Sequence, residues 1–377
     1  MLASRSIRRA LSALPLALLA TALTGTAHAA VSVDDTPTES WQVNGPVYAS
    51  TVIGDTVYVG GRFTQIVSSA GETKDRAHLA AFSISTGKPL PWSPQADGVV
   101  WALESNGSTT VWAGGEFTKV DGREHERLVR VNAKTGEVDR KFDVGVNGTV
   151  RALELSRGML FVGGGFTKVG KDCQKYLTKI NATSGAVPQG FSPRVEDMVR
   201  AIVAPETGTG SGFDVYVAGN FFSYNGVPQR KVALINGGNG KLAPLTFEKP
   251  ATTRGLDISP DGTVLYGAIG GDINSAVAWS TADGTRLWRY KVVGDVHTVA
   301  YHDGTVWAGF AEGTKLDPKA RLQALDAATG TVDPAFAPQF NSLWGVRTIA
   351  ATDRGVVAAG NFWKIDGKSQ QYLAFFR

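Results

Sequence analysis

The sequence predicts an all-β protein, a seven-bladed β-propeller, and three observations predict it. A phrase of about seven residues recurs seven times, at nearly constant spacing, with Gly-centred turns at matching places between the copies. It reads Val57-Tyr-Val-Gly-Gly-Arg-Phe63, Val111-Trp-Ala-Gly-Gly-Glu-Phe117, Leu160-Phe-Val-Gly-Gly-Gly-Phe166 and Val215-Tyr-Val-Ala-Gly-Asn-Phe221. Weaker copies stand at Val264–Ala268 and Val306–Phe310, and a good one returns at Val356–Phe362. The fifth residues of the copies, Gly61, Gly115, Gly164, Gly219, Ala268, Phe310 and Gly360, are 54, 49, 55, 49, 42 and 50 residues apart. A period near 50 that repeats β-branched and aromatic residues around glycine is that of propeller blades, small sheets that bury their faces only by stacking on neighbours.

Each repeat reads as four strands. In the third copy, Val150–Leu155 alternates and predicts the inner strand, and Met159–Phe166 predicts the second. Glycine at the centre of that second strand lets neighbouring blades approach closely. Tyr176–Asn181 predicts the third strand, and Thr183-Ser184-Gly185 a tight turn in which glycine supplies positive φ. Ala186–Pro193, around Phe191, predicts the outer strand. The turn recurs at Thr86-Gly87, Thr135-Gly136, Asn239-Gly240, Asp283-Gly284 and Thr329-Gly330, which makes six turns for seven repeats. The sequence stops at Arg377, where the seventh repeat would turn into its outer strand. Glu39–Gly45 is the candidate for the missing strand, with Trp41 matching Trp92, Phe142, Phe191 and Phe336. The ring is therefore expected to close by an N-terminal strand completing the last blade, which removes an exposed sheet edge.

The first 29 residues read as a secretory signal peptide: Arg5, Arg8 and Arg9, an apolar run from Leu11 to Leu23, and Ala27-His28-Ala29 as a small-x-small cleavage site. Residues 30–377 then form one domain, expected to be secreted, because no later apolar run is long enough to span a membrane. The signal carries three Arg and no acidic residue, so 38 basic residues become 35 against 34 acidic, a mature balance of +1. A nucleic-acid partner would call for a clear basic excess. Cys173 is the only cysteine and forms no intrachain disulfide, so stability has to come from the core; in an oxidising compartment it is a free thiol or an intermolecular crosslink.

The phrase Val-Gly-Gly-x-Phe-Thr, followed by a loop, a Leu-rich strand and Asn/Asp-x-x-Thr-Gly, resembles the delta-sixty repeat propellers of secreted bacterial proteins. The resemblance covers essentially all of the chain after the signal and is clearest at Val57–Phe63, Val111–Thr118 and Leu160–Thr167. Copies five and six depart from it, losing the second Gly and the Phe-Thr pair. It implies a β-propeller and no particular activity.

Two features point to a site. Long polar loops follow the second strand of most repeats, at Thr64–His78, Lys119–Arg127, Lys168–Lys175, Ser223–Lys231, Glu312–Arg321 and Lys364–Gln371. Such loops on a rigid scaffold are natural binding elements. Aligning the inner strands also puts Tyr48, Trp101, Arg151, Arg200, Arg254, His297 and Arg347 at one register near the strand start. In a closed ring these residues form a basic and aromatic collar at the channel mouth, where Arg recognises carboxylate, sulfate or phosphate and Tyr and Trp stack on a sugar face. Asn341 and Trp344, in the long loop before the last inner strand, are helpers. The alternative is structural: Asp97, Glu196, Asp197 and Asp295 precede the collar, Glu104, Glu154 and Asp257 follow it, and Arg–carboxylate pairs that rivet blades together have the same pattern.

Enzyme signals are weak. The sequence has no His-Glu-x-x-His, no Gly-x-Ser-x-Gly and no metal-ligand spacing. Asp121-Gly122 and Asp366-Gly367 recur in the repeat and read as turn formers. Ala324–Gly330 is similar to the blade phrase of quinoprotein dehydrogenases, a likeness of blade packing. A quinone site of that type implies adjacent cysteines, which one Cys rules out. The expected function is a non-catalytic, lectin-like recognition module for a glycan or cell-surface polymer, without cofactor or metal, with a role as the targeting subunit of a larger secreted complex as one form of it. A protein–protein adaptor and a polysaccharide hydrolase or lyase are the alternatives.

Overall fold

The computed structural model describes residues 33–205 and 213–377, so the segment expected to be a signal peptide lies outside the described residues. Among the described residues there is no helix, and the chain is all-β with antiparallel pairing throughout. Seven principal sheets follow one another in chain order. The first pairs Val47–Ile53, Thr56–Gly61 and Leu79–Ser83, and the third pairs Val150–Ser156, Met159–Gly164 and Leu177–Asn181. The last pairs Phe340–Thr352, Gly355–Ile365 and Leu373–Phe376.

The first strands of successive sheets lie against one another, and that of the seventh lies against that of the first. Between neighbouring sheets sit seven hydrophobic clusters. One of them joins Val47, Val57 and Phe82 of the first sheet to Ala350, Val357 and Phe375 of the seventh. The centre of each middle strand is buried on both faces, so its residues there are apolar or glycine, as at positions 111–115.

The paired glycines have two separate causes. A Cβ on the first would meet a valine of the next sheet: Val100 from Gly60, Val150 from Gly114, and Val199 Cγ1 at 2.7 Å from Gly163. A Cβ on the second would strike the carbonyl oxygen of its own sheet's approach to the inner strand, Val99 O from Gly115 and Thr149 O from Gly164. That oxygen is held in place by accepting from the next residue of the phrase, for example Gly165 N at 2.8 Å. In the fifth and sixth sheets Ile269 and Phe310 hold the second glycine's register, opposite Thr253 and Val296. The fifth copy of the phrase is thus displaced by one residue from the expected Ala268.

The six predicted turns all carry glycine at positive φ, from 65° at Gly87 to 78° at Gly136. The expected outer strand is regular only in the fifth sheet, as Arg286–Lys291. Elsewhere it shrinks to single pairs such as Phe82 with Pro89 and Leu325 with Val332. Four of those five short segments carry proline, at Pro89, Pro188, Pro244 and Pro334, and proline has no N–H to donate to a ladder. At the other end of the chain, Thr38 pairs with Phe375, its N–H donating to the Phe375 carbonyl at 2.8 Å, and Asp34 N donates to Arg377 O at 3.1 Å. The part of the chain beside the last strand thus precedes the expected Glu39–Gly45, whose Gln42–Val43 pairs instead with Gln65–Val67. Trp41 packs on the same cluster as Phe82 and Phe375, only partly buried, with the Lys74 ammonium 4.8 Å over its ring.

Candidate functional site

Every inner strand starts with a β-bulge. The register slips between Val47 and Ala49, Val100 and Ala102, Val150 and Ala152, Val199 and Ala201, Thr253 and Gly255, Val296 and Thr298, and Val346 and Thr348. The extra residue of the seven bulges is Tyr48, Trp101, Arg151, Arg200, Arg254, His297 and Arg347. A bulge leaves one residue unpaired and re-aims its side chain. All seven side chains line a single cavity of about 120 Å³.

Around that cavity the contacts are uneven. Tyr48 stacks on Trp101 with ring centroids 4.1 Å apart, and the Arg151 guanidinium lies 3.7 Å from the Trp101 centroid. Tyr48 and Arg151 come from the strands on either side, so Trp101 is covered by protein groups and is not free to stack on a sugar, contrary to expectation. Arg254 pairs with Asp295 at 2.6 Å. Arg151 has Glu116 at 3.9 Å, and Arg200 Nε donates to Asn220 Oδ1 at 2.9 Å. Among the described residues Arg347 has no ion pair; its guanidinium lies 5.7 Å from the Trp344 ring, and its Nε, like those of Arg151 and Arg254, is buried with no hydrogen-bond partner among them. Burial lowers the pKa of Arg151, Arg200 and Arg347, and neighbouring guanidiniums lower it further. Arginine nonetheless stays charged.

His297 is held neutral. Burial first, then Arg347 and Arg254, pushes its pKa down to about 2. Its Nε2 lies 3.1 Å from the Trp344 carbonyl oxygen, which can only accept, so Nε2 carries the proton. The imidazole therefore positions Trp344 and contributes no charge. Trp344 is the exposed aromatic at the mouth, at 48%. It lies within the long strand Phe340–Thr352, where a loop was expected, beside an αL glycine, Gly345, at φ 65°. Asn341 is also in that strand, opposite Lys364, and is absent from the cavity lining.

The carboxylates near the collar mostly have other work. Asp97 Oδ1 accepts from Thr118 N and Lys119 N, and Glu196 Oε1 accepts from Phe222 N and Ser223 N. These side chains tie each loop to the strand connection beneath it, as Asn44 and Asn147 do in their sheets. Asp197 Oδ1 accepts from Met198 N. Glu104, Glu154 and Asp257 line a separate groove at the far end of the inner strands. Glu104 accepts from Ser105 N, Glu154 from Ala204 N and Asp257 from Tyr301 N. Of the expected rivets, Asp295 forms an ion pair with a collar arginine, Arg254.

Sequence reasoning missed Glu116 and Asn220. Both follow the second glycine of the phrase, a position that changes from copy to copy while its neighbours do not, and that variation was the available signal. The long loops fold into short hairpins, such as Gln65–Val67 with Thr73–Asp75 and Ser223–Tyr224 with Val227–Pro228. Asp121 and Asp366 sit at positive φ in the turns, as expected of turn formers, and accept from Gln95 N and Gln339 N. Cys173 is exposed and free. Among the described residues no cluster of His, Cys, Asp and Glu could hold a metal ion.

No protein-family model and no curated protein matches the chain. Among solved structures the chain is similar to the computationally designed Ika8 protein, at 14% identity and a TM-score of 0.51, over 90% of this chain and 92% of that one. At that identity the likeness concerns the fold alone.

Proposed function

We propose that the chain is a closed seven-bladed β-propeller acting as a secreted, non-catalytic recognition module, lectin-like in its use of the channel mouth to bind an acidic glycan or cell-surface polymer. Seven clusters between consecutive sheets, the last sheet packed on the first, and Thr38 beside Phe375 support the closed ring. The observation that carries the function is the convergence of seven bulge residues on one cavity, four of them arginines with two carboxylates in ion-pair range. The lining supports binding over catalysis. Guanidinium does not exchange protons near neutral pH, His297 is held neutral, and among the described residues no carboxylate, serine or cysteine lines the cavity.

The adaptor reading has one specific support. Phe222, Val227 and Leu316 are exposed, Leu316 at 99%, on loops at the collar end of the strands. A glycan array probed with the wild type and an Arg151→Ala/Arg200→Ala variant tests the proposal. Binding to acidic glycans that the folded variant loses is the expected result. Absence of glycan binding, or binding unchanged in the variant, overturns it and favours a protein partner on the apolar loops.

A further inference from the structure

We infer that the collar cavity is a seat for one oxyanion, a carboxylate, sulfate or phosphate group, and that it takes a glycan end-on by a terminal acidic sugar whose ring lies against Trp344. The glycan part rests on the recognition reading above; the anion seat stands on the geometry.

Size comes first. Pockets that enclose organic ligands measure roughly 300–1,000 Å³, and a water molecule takes about 30 Å³ of liquid. A cavity of about 120 Å³ has room for an oxyanion and a water or two, too little to enclose a sugar ring.

Charge comes second. Arg254 has its carboxylate at 2.6 Å and Arg151 a distant one at 3.9 Å, while Arg200 has an amide and, among the described residues, Arg347 has neither. The mouth thus keeps an excess of positive charge that lies among like charges and partly out of water. Holding uncompensated charge there is costly, and an anion between the guanidiniums offsets it. Among the described residues, the buried Nε–H donors of Arg151, Arg254 and Arg347 have no hydrogen-bond partner.

Shape comes third. Trp101 is covered between Tyr48 and Arg151, which fixes the Arg151 plane and closes the Trp101 ring to a ligand. The exposed face belongs to Trp344 at the rim, where His297 holds its backbone. An anion inside and an aromatic outside select a sugar that carries its acid at its exposed end.

Calorimetric titration with inorganic sulfate, glucuronate and glucose tests this on wild type, Arg347→Gln, Arg347→Lys and Trp344→Ala. Sulfate and glucuronate are expected to compete for one site that glucose does not enter. Arg347→Gln should weaken both by at least about tenfold, the loss of one charge-assisted contact, and Arg347→Lys by less. Trp344→Ala should weaken glucuronate and leave sulfate unchanged. Sulfate affinity equal in wild type and Arg347→Gln, or glucose competing as well as glucuronate, overturns the seat. The two readings fail separately: array binding to neutral glycans sinks the anion seat alone, and sulfate binding without any glycan binding sinks the recognition reading alone.

Discussion

Three consecutive glycines in the third repeat offer a test of how this sequence makes this fold. A Cβ on Gly163 would meet Val199 Cγ1 at 2.7 Å and Ile202 Cδ1 at 3.1 Å, both side chains of the next sheet. A Cβ on Gly164 would strike the Thr149 carbonyl oxygen, which is pinned by Gly165 N at 2.8 Å. A Cβ on Gly165 would meet only the end of a flexible side chain, Met198 Cε at 3.1 Å. Gly164→Ala therefore has to move backbone, and overpacking of that kind costs about 3 kcal/mol or more. Gly163→Ala asks two side chains to shift, at about 1–2 kcal/mol. Gly165→Ala should fall within about 0.5 kcal/mol of wild type or gain slightly, since it restricts the unfolded chain. Urea denaturation of the three variants gives the ranking. Gly164 faces the bulge that aims Arg151, so its variant should also weaken anion binding. Equal costs at the three positions, or Gly165→Ala as the most damaging, would refute the steric reasoning.

Three further predictions concern the ring and its titrating groups. Deleting residues 31–46 removes the segment beside Phe375 and exposes a sheet edge, so the whole protein should melt lower; a truncation that melts like the full mature chain would contradict ring closure. His297 has its folded pKa pushed down to about 2, so its contribution is present above the unfolded value near 6.5 and is lost as pH falls. Between pH 7 and 5 the wild type should lose about 2 kcal/mol more than His297→Gln in urea titrations, and parallel pH profiles would be against it. Glu104 runs the other way: burial raises its pKa to about 8, so the folded chain keeps a proton that the unfolded chain gives up above about 4.5. Glu104→Gln should match wild type at pH 4.5 and be about 1–2 kcal/mol more stable at pH 7.5, a figure reduced because the side chain reaches a solvent-filled groove. A variant that is less stable at pH 7.5 would show the carboxylate ionised and useful.

The strand pattern and the collar were legible for a common reason. Period-2 and period-50 repetition report which residues share a face and which hold equivalent places in successive sheets, so Arg151, Arg200 and Arg254 could be aligned without coordinates. The bulge that turns them into one cavity was not legible, because an inserted residue leaves the composition of a strand unchanged. Nor was the occupation of Trp101, since stacking by Tyr48 and Arg151 depends on the spacing between sheets. Asp97 and Glu196 read as possible rivets from their place before the arginines; only the backbone N–H groups above them reveal that they are caps. Proline in four outer segments did carry a warning that those strands would be short. Trp344 falls in a strand where a loop is expected, and Gly345, at φ 65°, lets that bulged strand continue.

The most direct test of the central claim is thermal unfolding of wild type and Arg347→Gln, each with and without inorganic sulfate at constant ionic strength. If the mouth holds uncompensated positive charge for an anion, Arg347→Gln melts higher than wild type without sulfate, and sulfate raises wild type more than the variant, closing or reversing the gap. If Arg347→Gln melts lower without sulfate and both proteins respond to it equally, the arginines are structural and the collar is not a binding site.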